Sequence, residues 1–399
     1  MIDPRGDPPK GPVSGDDVDY TRVYEQELQG DFYGADYYRP PRSEIDSAII
    51  YDDGKDKRVT AAFVALNFAP GRVLEAGCAR GLLTKALRGN GVEADGFDFS
   101  AWCIENAHPQ ARAWVRREDI LDLKKPEQPY DLALALDILE HLPPQKVPQA
   151  IVNLAAALKP GGIFLTVVPA YGPNEFGPEL YPLRYEEWRR DASLGIPFRN
   201  IPLDDRGRPH LGHLTHASIA WWMDKFRRAG LRRLGKVERL LHQRFDAAFE
   251  YSRRSFFVFV KAGGWAASGA GRRLFRRVSA VPGLPCGFWE WELWEGRFWM
   301  RWTEEKAWAP IEVGGREVVT LRAICNHPDI GERPVRVRFR VEGGGDTQVE
   351  FRDHDWHDIT LSLPAREFAE LSIRCSRTWT ADPSLPPALQ RPLGVGISL

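Results

Sequence analysis

Residues 72–83, Arg-Val-Leu-Glu-Ala-Gly-Cys-Ala-Arg-Gly-Leu-Leu, constrain the fold of this chain more than any other stretch. Val73 and Leu74 suit the end of a buried strand, and Glu75 stands at its carboxyl edge. Gly77 and Gly81 permit a tight turn, and a helix opens from Leu82. A strand, a glycine turn and a helix N-terminus form the ligand-facing corner of an open α/β sheet. Ligands bind beyond the carboxyl ends of its strands, where the helix's first amides point at them. Glycine-bearing turns recur in many loops, so this run gains its meaning only from the segments downstream of it.

Several of those segments fall in the order such a sheet requires. Residues 92–97 read as a second strand ending at Asp98, about twenty residues past the turn, where a carboxylate can accept hydrogen bonds from both hydroxyls of a ribose. Phe99 and Ser100 come directly after it. A third strand over 111–116 leads to Asp119 and Ile120, an acid beside an apolar residue that suits an adenine amino group and ring face. Residues 130–136 make a fourth strand, with Asp137, Glu140 and His141 at its carboxyl end. A helix over 147–158 stops at Lys159-Pro-Gly-Gly162, and a fifth strand occupies 163–168.

These motifs, Glu75-Ala-Gly-Cys-Ala-Arg-Gly81, Gly96-Phe-Asp-Phe-Ser100, Asp119-Ile120, the run from Tyr130 to Leu142 and Leu158-Lys-Pro-Gly-Gly162, resemble in order those of class I S-adenosylmethionine-dependent methyltransferases. The resemblance covers roughly residues 55–260. It implies a Rossmann-like, doubly wound α/β sheet closed by an antiparallel strand pair, expected here over 231–237 and 255–260. It also implies S-adenosylmethionine as cofactor, bound by Glu75, Gly77, Cys78, Ala79, Gly81, Asp98, Phe99, Ser100, Asp119, Ile120 and Asp137. A nicotinamide-dependent dehydrogenase would share the acid at the second strand's end. Its fingerprint wants glycine where this chain has Ala79.

Methyl transfer from a sulfonium needs chiefly an in-line acceptor and a group to remove the acceptor's proton. The candidate bases are His141, His213 and His216, the last two in Gly212-His-Leu-Thr-His216. His141 can equally hold its loop by a structural hydrogen bond. The set Asp137, Glu140, His141, His213 and His216 also resembles the metal ligands of small-RNA 3′-end ribose methyltransferases, in which a divalent ion grips a diol. Asp137 stands where that pattern has Glu, so the ligand geometry departs from it. The expectation is a chain without resident metal that methylates an oxygen of a sugar or saccharide intermediate. Metal-assisted ribose 2′-O-methylation of RNA is an alternative. A third reading is a glycan-binding or scaffolding protein whose methyltransferase-like domain is weakly active.

With 399 residues the chain accommodates two domains, and the boundaries read as a disordered tail (1–18), a methyltransferase domain (19–262), a linker (263–285) and a β-sandwich (286–399). The acceptor side of the methyltransferase domain is assigned to an insertion over 169–212, with Tyr171, Phe176, Tyr181, Arg184, Tyr185 and Trp188. Tyr20, Tyr24, Phe32, Tyr33, Tyr37 and Tyr38 upstream can lie against a sulfonium or simply pack on the domain. The linker carries the basic run Arg272-Arg-Leu-Phe-Arg-Arg277, read as one or two solvated helical turns. Beyond it, the alternation of 335–341 and the Gly-rich turns predict a small antiparallel sandwich, loosely resembling those appended to bacterial glycan-modifying enzymes. Trp289, Trp291, Trp294, Trp299, Trp302 and Trp308 crowd its start, either as core or as sugar-stacking faces.

A formal net charge of −1 supplies no global attraction for nucleic acid or anionic membrane, and no nucleic-acid partner is expected. No stretch has the apolar length of a membrane span, and the polar N-terminus lacks a signal-peptide core. The five scattered cysteines fit reduced thiols in a cytoplasmic protein. The oligomeric state is left open.

Overall fold

The computed structural model describes residues 28, 30–42, 48–51, 54–178, 203–204, 206–250, 254–381, 384 and 390–398, with the backbone alone at 264–268. The chain divides into two compact units. One gathers the described residues within Met1–Asp56, Pro70–Thr84 and Val92–Val278; the other gathers Lys57–Ala69, Lys85–Gly91 and those within Ser279–Leu399. The 1–18 tail lies outside the described residues.

The first unit is built on a seven-stranded sheet of order β3-β2-β1-β4-β5-β9-β8. These are β1 (Arg72–Ala76), β2 (Glu93–Asp98), β3 (Val115–Arg117), β4 (Tyr130–Leu136), β5 (Leu158–Val167), β8 (Leu231–Arg233) and β9 (Phe256–Lys261). The first five strands pair in parallel, while β9 runs antiparallel to both β5 and β8. The strand order reverses between β1 and β4, and open α/β sheets bind ligands at such a switch, beyond the strands' carboxyl ends. Central strands buried on both faces must be apolar throughout, and β9 has Phe256 to Val260 all buried. Phe164, Phe257, Phe259 and Trp222 join the sheet's core to the helix Ile219–Arg228.

Three sequence expectations in this unit are corrected. The third strand does not start at residue 111, because the amides of Ala111 and Arg112 turn back onto the His108 carbonyl at 2.8 and 3.0 Å, leaving a 3-10 turn (Arg112–Trp114) before β3. The strand expected over 231–237 ends at Arg233, and a helix, Gly235–Phe245, takes over. Its buried residues Val237, Leu241 and Phe245 recur every fourth position, a helical spacing. Within 263–285, read as a linker with one or two helical turns, the helix is longer and runs over Gly264–Ala280. Ala270, Leu274 and Val278 form its buried stripe. In addition, Lys159-Pro-Gly-Gly162 belongs to β5 rather than to a loop, with the β4–β5 register shifting between Tyr130 and Leu132.

The second unit holds the helix Lys55–Phe68 from Lys57 onward, and its C-terminal part is all β. Strand β12 (Phe298–Glu312) lies mid-way along a nine-stranded sheet. Its first half pairs with β20 (Gly396–Ser398) and its second with β17 (Phe368–Cys375). On one side the order runs on through β14 (Val335–Val341) to β15 (Asp346–Phe351), and on the other through β13 (Val318–Ile324) to β16 (His357–Ser362). The alternation in β14 buries Val335, Val337, Phe339 and Val341 and exposes the arginines between them. These side chains meet those of β12, β13, β16 and β17 in one core, as a sandwich requires. Trp291 and Trp302 are buried, while Trp289, Trp294, Trp299 and Trp308 are half-buried, so none of the six stands as a freely exposed platform. Among the described residues, no helix is long and apolar enough to cross a membrane.

Candidate active site

At the tip of β1 the chain makes the expected turn. Gly77 has φ +66°, and a Cβ there would stand 1.9 Å from Ile138 Cδ1, so glycine is required on both conformational and steric grounds. Gly81 has φ +78°. Ala79, between them, is a non-glycine residue at φ +46°, a conformation that costs about 1–3 kcal/mol and persists where the surroundings fix it. Asp98 does the fixing. Its Oδ2 accepts from the Ala79 amide and its Oδ1 from the Ser100 amide, each at 2.9 Å. Buried at the tip of β2, that carboxyl has its pKa raised by desolvation, with the two amide bonds acting the other way. Glu75 is buried as well and accepts a hydrogen bond from Thr84. The thiol of Cys78 is buried and its pKa pushed up by desolvation. Asp119 Oδ1 accepts from the Leu121 amide at 2.8 Å, and Ile120 beside it is buried.

A second group assembles beyond β4. Leu139–His141 form a 3-10 turn, and segment 212–216 is strapped onto it. The amides of Leu214 and Thr215 donate to the Glu140 carbonyl at 2.7 and 2.9 Å, and Thr215 Oγ1 donates to the Leu142 carbonyl at 2.7 Å. A short parallel pair, β6 (Ala170–Tyr171) with β7 (Ala217–Ser218), anchors the same segment. Glu140, His141 and His213 are thereby gathered, with one ligand-type atom of each within 4.8 Å of the others. His213 Nδ1 lies 2.9 Å from His216 Nε2. Asp137, at the end of β4 with φ +56°, and His216 fall outside that group of three. Burial holds all three imidazoles below their ordinary pKa: His141 is lowered, His213 lies well below, and His216 is lowered to about 4. All three are therefore neutral at neutral pH.

The upstream aromatics settle over both groups. Tyr33 is buried with its ring 5.5 Å from Phe99 and 5.4 Å from His141. Its hydroxyl is 3.0 Å from His141 Nδ1. Phe32 and Tyr37 both pack edge-on against Tyr33, and Tyr38 stacks on Trp102 at 5.6 Å. Tyr20 and Tyr24, and the insertion residues Tyr181, Arg184, Tyr185 and Trp188, lie outside the described residues. Tyr171 is buried, and Phe176 lies under Arg233 at 4.9 Å.

Residues 52–232 match the family model described as a methyltransferase domain, on the stretch that carries this corner and the 3-2-1-4-5 strand order. Over those residues the chain is similar to a methyltransferase domain. Among proteins similar to it, a ubiquinone biosynthesis O-methyltransferase of Coxiella burnetii (strain Dugway 5J108-111) is 38% identical over 151 residues, covering 31% of this chain and 63% of that protein. Another from Methylococcus capsulatus is 26% identical over 156 residues, with the same coverage of 31% and 63%. The chain thus spans less than two thirds of the length of these relatives. Among solved structures, the N-methyltransferase NodS of Bradyrhizobium japonicum in complex with S-adenosyl-L-homocysteine is similar at 16% identity and a TM-score of 0.32, over 52% of this chain and 87% of that one.

The residue types present fit an adenosyl group: a carboxylate at the tip of β2, an acid beside an apolar side chain after β3, and a glycine turn at the tip of β1. Residue types flagged the histidines in advance. Reading the sequence missed the Tyr33 hydroxyl at His141, since Tyr33 offers itself there only as an aromatic face. It also missed Gly212, whose left-handed φ of +73° brings its carbonyl 3.1 Å from His141 Nδ1.

Proposed function

We propose that this chain transfers a methyl group to a hydroxyl oxygen, and that the acceptor is a sugar or saccharide intermediate. The observation that carries the first part is the pair of imidazoles, His141 and His213, gathered with Glu140 just beyond β4, beside the cofactor corner. When bound, S-adenosylmethionine supplies a methyl group already activated on a sulfonium. Asp98 would hold its ribose, Asp119 and Ile120 its adenine, and the turn from Gly77 to Gly81 its approach. His141, neutral and with Nδ1 engaged by a carbonyl, offers Nε2 to the acceptor's proton. General-base assistance of this kind contributes about 10²- to 10⁴-fold. The printed names of the similar proteins, O-methyltransferases, support oxygen as the atom methylated.

The sugar acceptor rests on the appended sandwich, where Trp294, Phe298 and Trp356 cluster with Arg322, whose guanidinium lies 4.8 Å from the Phe298 ring and 5.1 Å from Trp356. Aromatic faces beside a cation suit sugar rings carrying polar or acidic substituents. The test is a screen of activated sugars, lipid-linked saccharides, phenols and quinols with labelled methyl donor. Label on a saccharide supports the proposal. Label on a phenol or quinol keeps O-methylation and overturns the sugar, and label on a nitrogen overturns both.

One observation favours a second reading, that a divalent cation joins the acceptor. Glu140, His141 and His213 supply one carboxylate and two neutral imidazoles, a donor set suited to zinc or manganese. A cation there would acidify a bound hydroxyl. Methyl transfer that survives exhaustive chelation removes this reading and leaves the histidine base.

A further inference from the structure

Tyr33 is in contact with both halves of the site. We propose that it is a positioning residue, which fixes His141 in the tautomer carrying its lone pair on Nε2 while tying that imidazole to the ribose-side corner. The inference rests on the reading of His141 as the group that receives the proton or ligates a cation. It adds what sets that group's chemistry.

His141 Nδ1 lies 3.1 Å from the Gly212 carbonyl and 3.0 Å from Tyr33 Oη, and Tyr33 Oη lies 3.4 Å from the same carbonyl. A carbonyl only accepts, so Nδ1 carries a proton and the tyrosine hydroxyl donates to Gly212. The phenol oxygen then receives the second share of the Nδ1 proton. In this arrangement the lone pair falls on Nε2; the same ring also has a backbone hydrogen bond with Asp137, so the tautomer is the quantity the spectra below must read. Gly212 is shaped for this: a Cβ at that position would sit 2.9 Å from Tyr33 Oη and 3.3 Å from His141 Nδ1.

The backbone of Tyr33 faces the other way. Its carbonyl accepts from Ser100 Oγ at 2.9 Å and from Cys103 Sγ at 3.7 Å. Ser100 is the residue whose amide binds Asp98, and its Oγ also caps the helix Ala101–Glu105 through the Cys103 amide at 3.2 Å. One residue therefore meets the ribose-side corner with its carbonyl and the base with its hydroxyl. The two functions are separable in Tyr33→Phe, which removes the hydroxyl and keeps ring and carbonyl.

Two readouts on the full chain test this. Long-range ¹H–¹⁵N spectra of ¹⁵N-histidine protein report the His141 tautomer with no acceptor required. The parental chain should show a single neutral form protonated at Nδ1, and Tyr33→Phe a mixture of forms. With an acceptor identified by the labelled-methyl screen, Tyr33→Phe should lower kcat by about 10- to 100-fold, the range for partners that orient a functional imidazole. S-adenosylhomocysteine affinity should stay within about twofold, because the carbonyl contact is retained. A parental tautomer protonated at Nε2, or a Tyr33→Phe chain with unchanged tautomer and kcat, overturns the proposal. His141→Asn separates the two claims. If it retains full kcat, the base reading fails. If it loses activity while Tyr33→Phe matches the parent, only the positioning role fails.

Discussion

Asp98→Asn is the sharpest test of the cofactor corner, because it keeps the shape of the side chain and changes only what its oxygens can do. The carboxylate accepts two amide protons, from Ala79 and Ser100, each at 2.9 Å. A carboxamide keeps one acceptor. The bond that survives loses its charge assistance, about 1 kcal/mol, and the other amide faces an NH₂ while buried, about 1–3 kcal/mol. Part of this loss is offset, since the neutral amide no longer carries a desolvated charge. The net expectation is about 1–3 kcal/mol of lost stability. For a domain of roughly 150–250 residues, each kcal/mol corresponds to about 2–4 °C in Tm. Cofactor binding should suffer in parallel: ribose hydroxyls donating to a neutral oxygen lose about 1.4–2.8 kcal/mol, or roughly 10- to 100-fold in Kd. Thermal melts and calorimetry with S-adenosylhomocysteine read the two effects. A variant that melts lower but binds within twofold of the parent would mean that Asp98 only fixes the turn at Ala79. The ribose role would then be wrong.

Gly77→Ala should cost about 2–4 kcal/mol, from a left-handed alanine and a Cβ 1.9 Å from Ile138 Cδ1, and should weaken S-adenosylhomocysteine binding in calorimetry. A variant that is stable and binds normally would show that the turn tolerates side chains. The raised pKa of Asp98 sets a pH dependence. Affinity for S-adenosylhomocysteine is fully present above that pKa and falls as the carboxyl protonates, at a higher pH than for an ordinary aspartate. The cofactor-free fold responds in the opposite sense at this residue, because its folded form holds the proton longer than the unfolded chain, so stability declines as pH rises through that window. Binding titrations between acidic and neutral pH check the first trend, and loss of the trend in Asp98→Asn assigns it. In the sandwich, Phe339→Ala opens a hole in a fully buried site of β14 and should remove about 3–5 kcal/mol in denaturant unfolding. A cost below about 1 kcal/mol would mean that this face is not core.

Legibility in the sequence tracks how local the physics is. The β1 corner was legible because its signals sit within a dozen residues: an apolar strand end, an acid at the tip, glycine where φ must be positive, then helix formers. The β14 alternation was legible for the same reason, as a period of two needs no partner to be recognised. Misreadings came where composition and period disagree. Gly, Ala and Ser after Gly263 look like a linker, yet Ala270, Leu274 and Val278 at four-residue spacing hold a helix down. At 231–237, Leu-Arg-Arg-Leu-Gly-Lys-Val, a short extended stretch passes directly into a new helix, and the buried Glu238 paired with Arg233 marks the join. The least legible feature was the Tyr33–His141 contact, which spans 108 positions. No periodicity encodes a pairing at that distance; only the folded strap at Gly212 and Ser100 creates it.

Burial of the histidine cluster bears on the reaction in two ways that pull together. Desolvation lowers the pKa of His141, His213 and His216, so each is a weaker base than a histidine in water. For most acyl or phosphoryl transfers that would be a handicap. A methyl group on a sulfonium is already activated, so the acceptor's proton needs only a positioned lone pair late in the displacement. Weak basicity then has a benefit. An imidazolium beside the cofactor corner would repel a sulfonium in a medium where charges are poorly screened, whereas a neutral ring leaves it undisturbed. Keeping the cluster neutral costs base strength and spares cation affinity. Tyr33 and the Gly212 carbonyl, both uncharged, contact the imidazole at Nδ1, and desolvation outweighs the upward pull of the nearby Asp137 carboxylate.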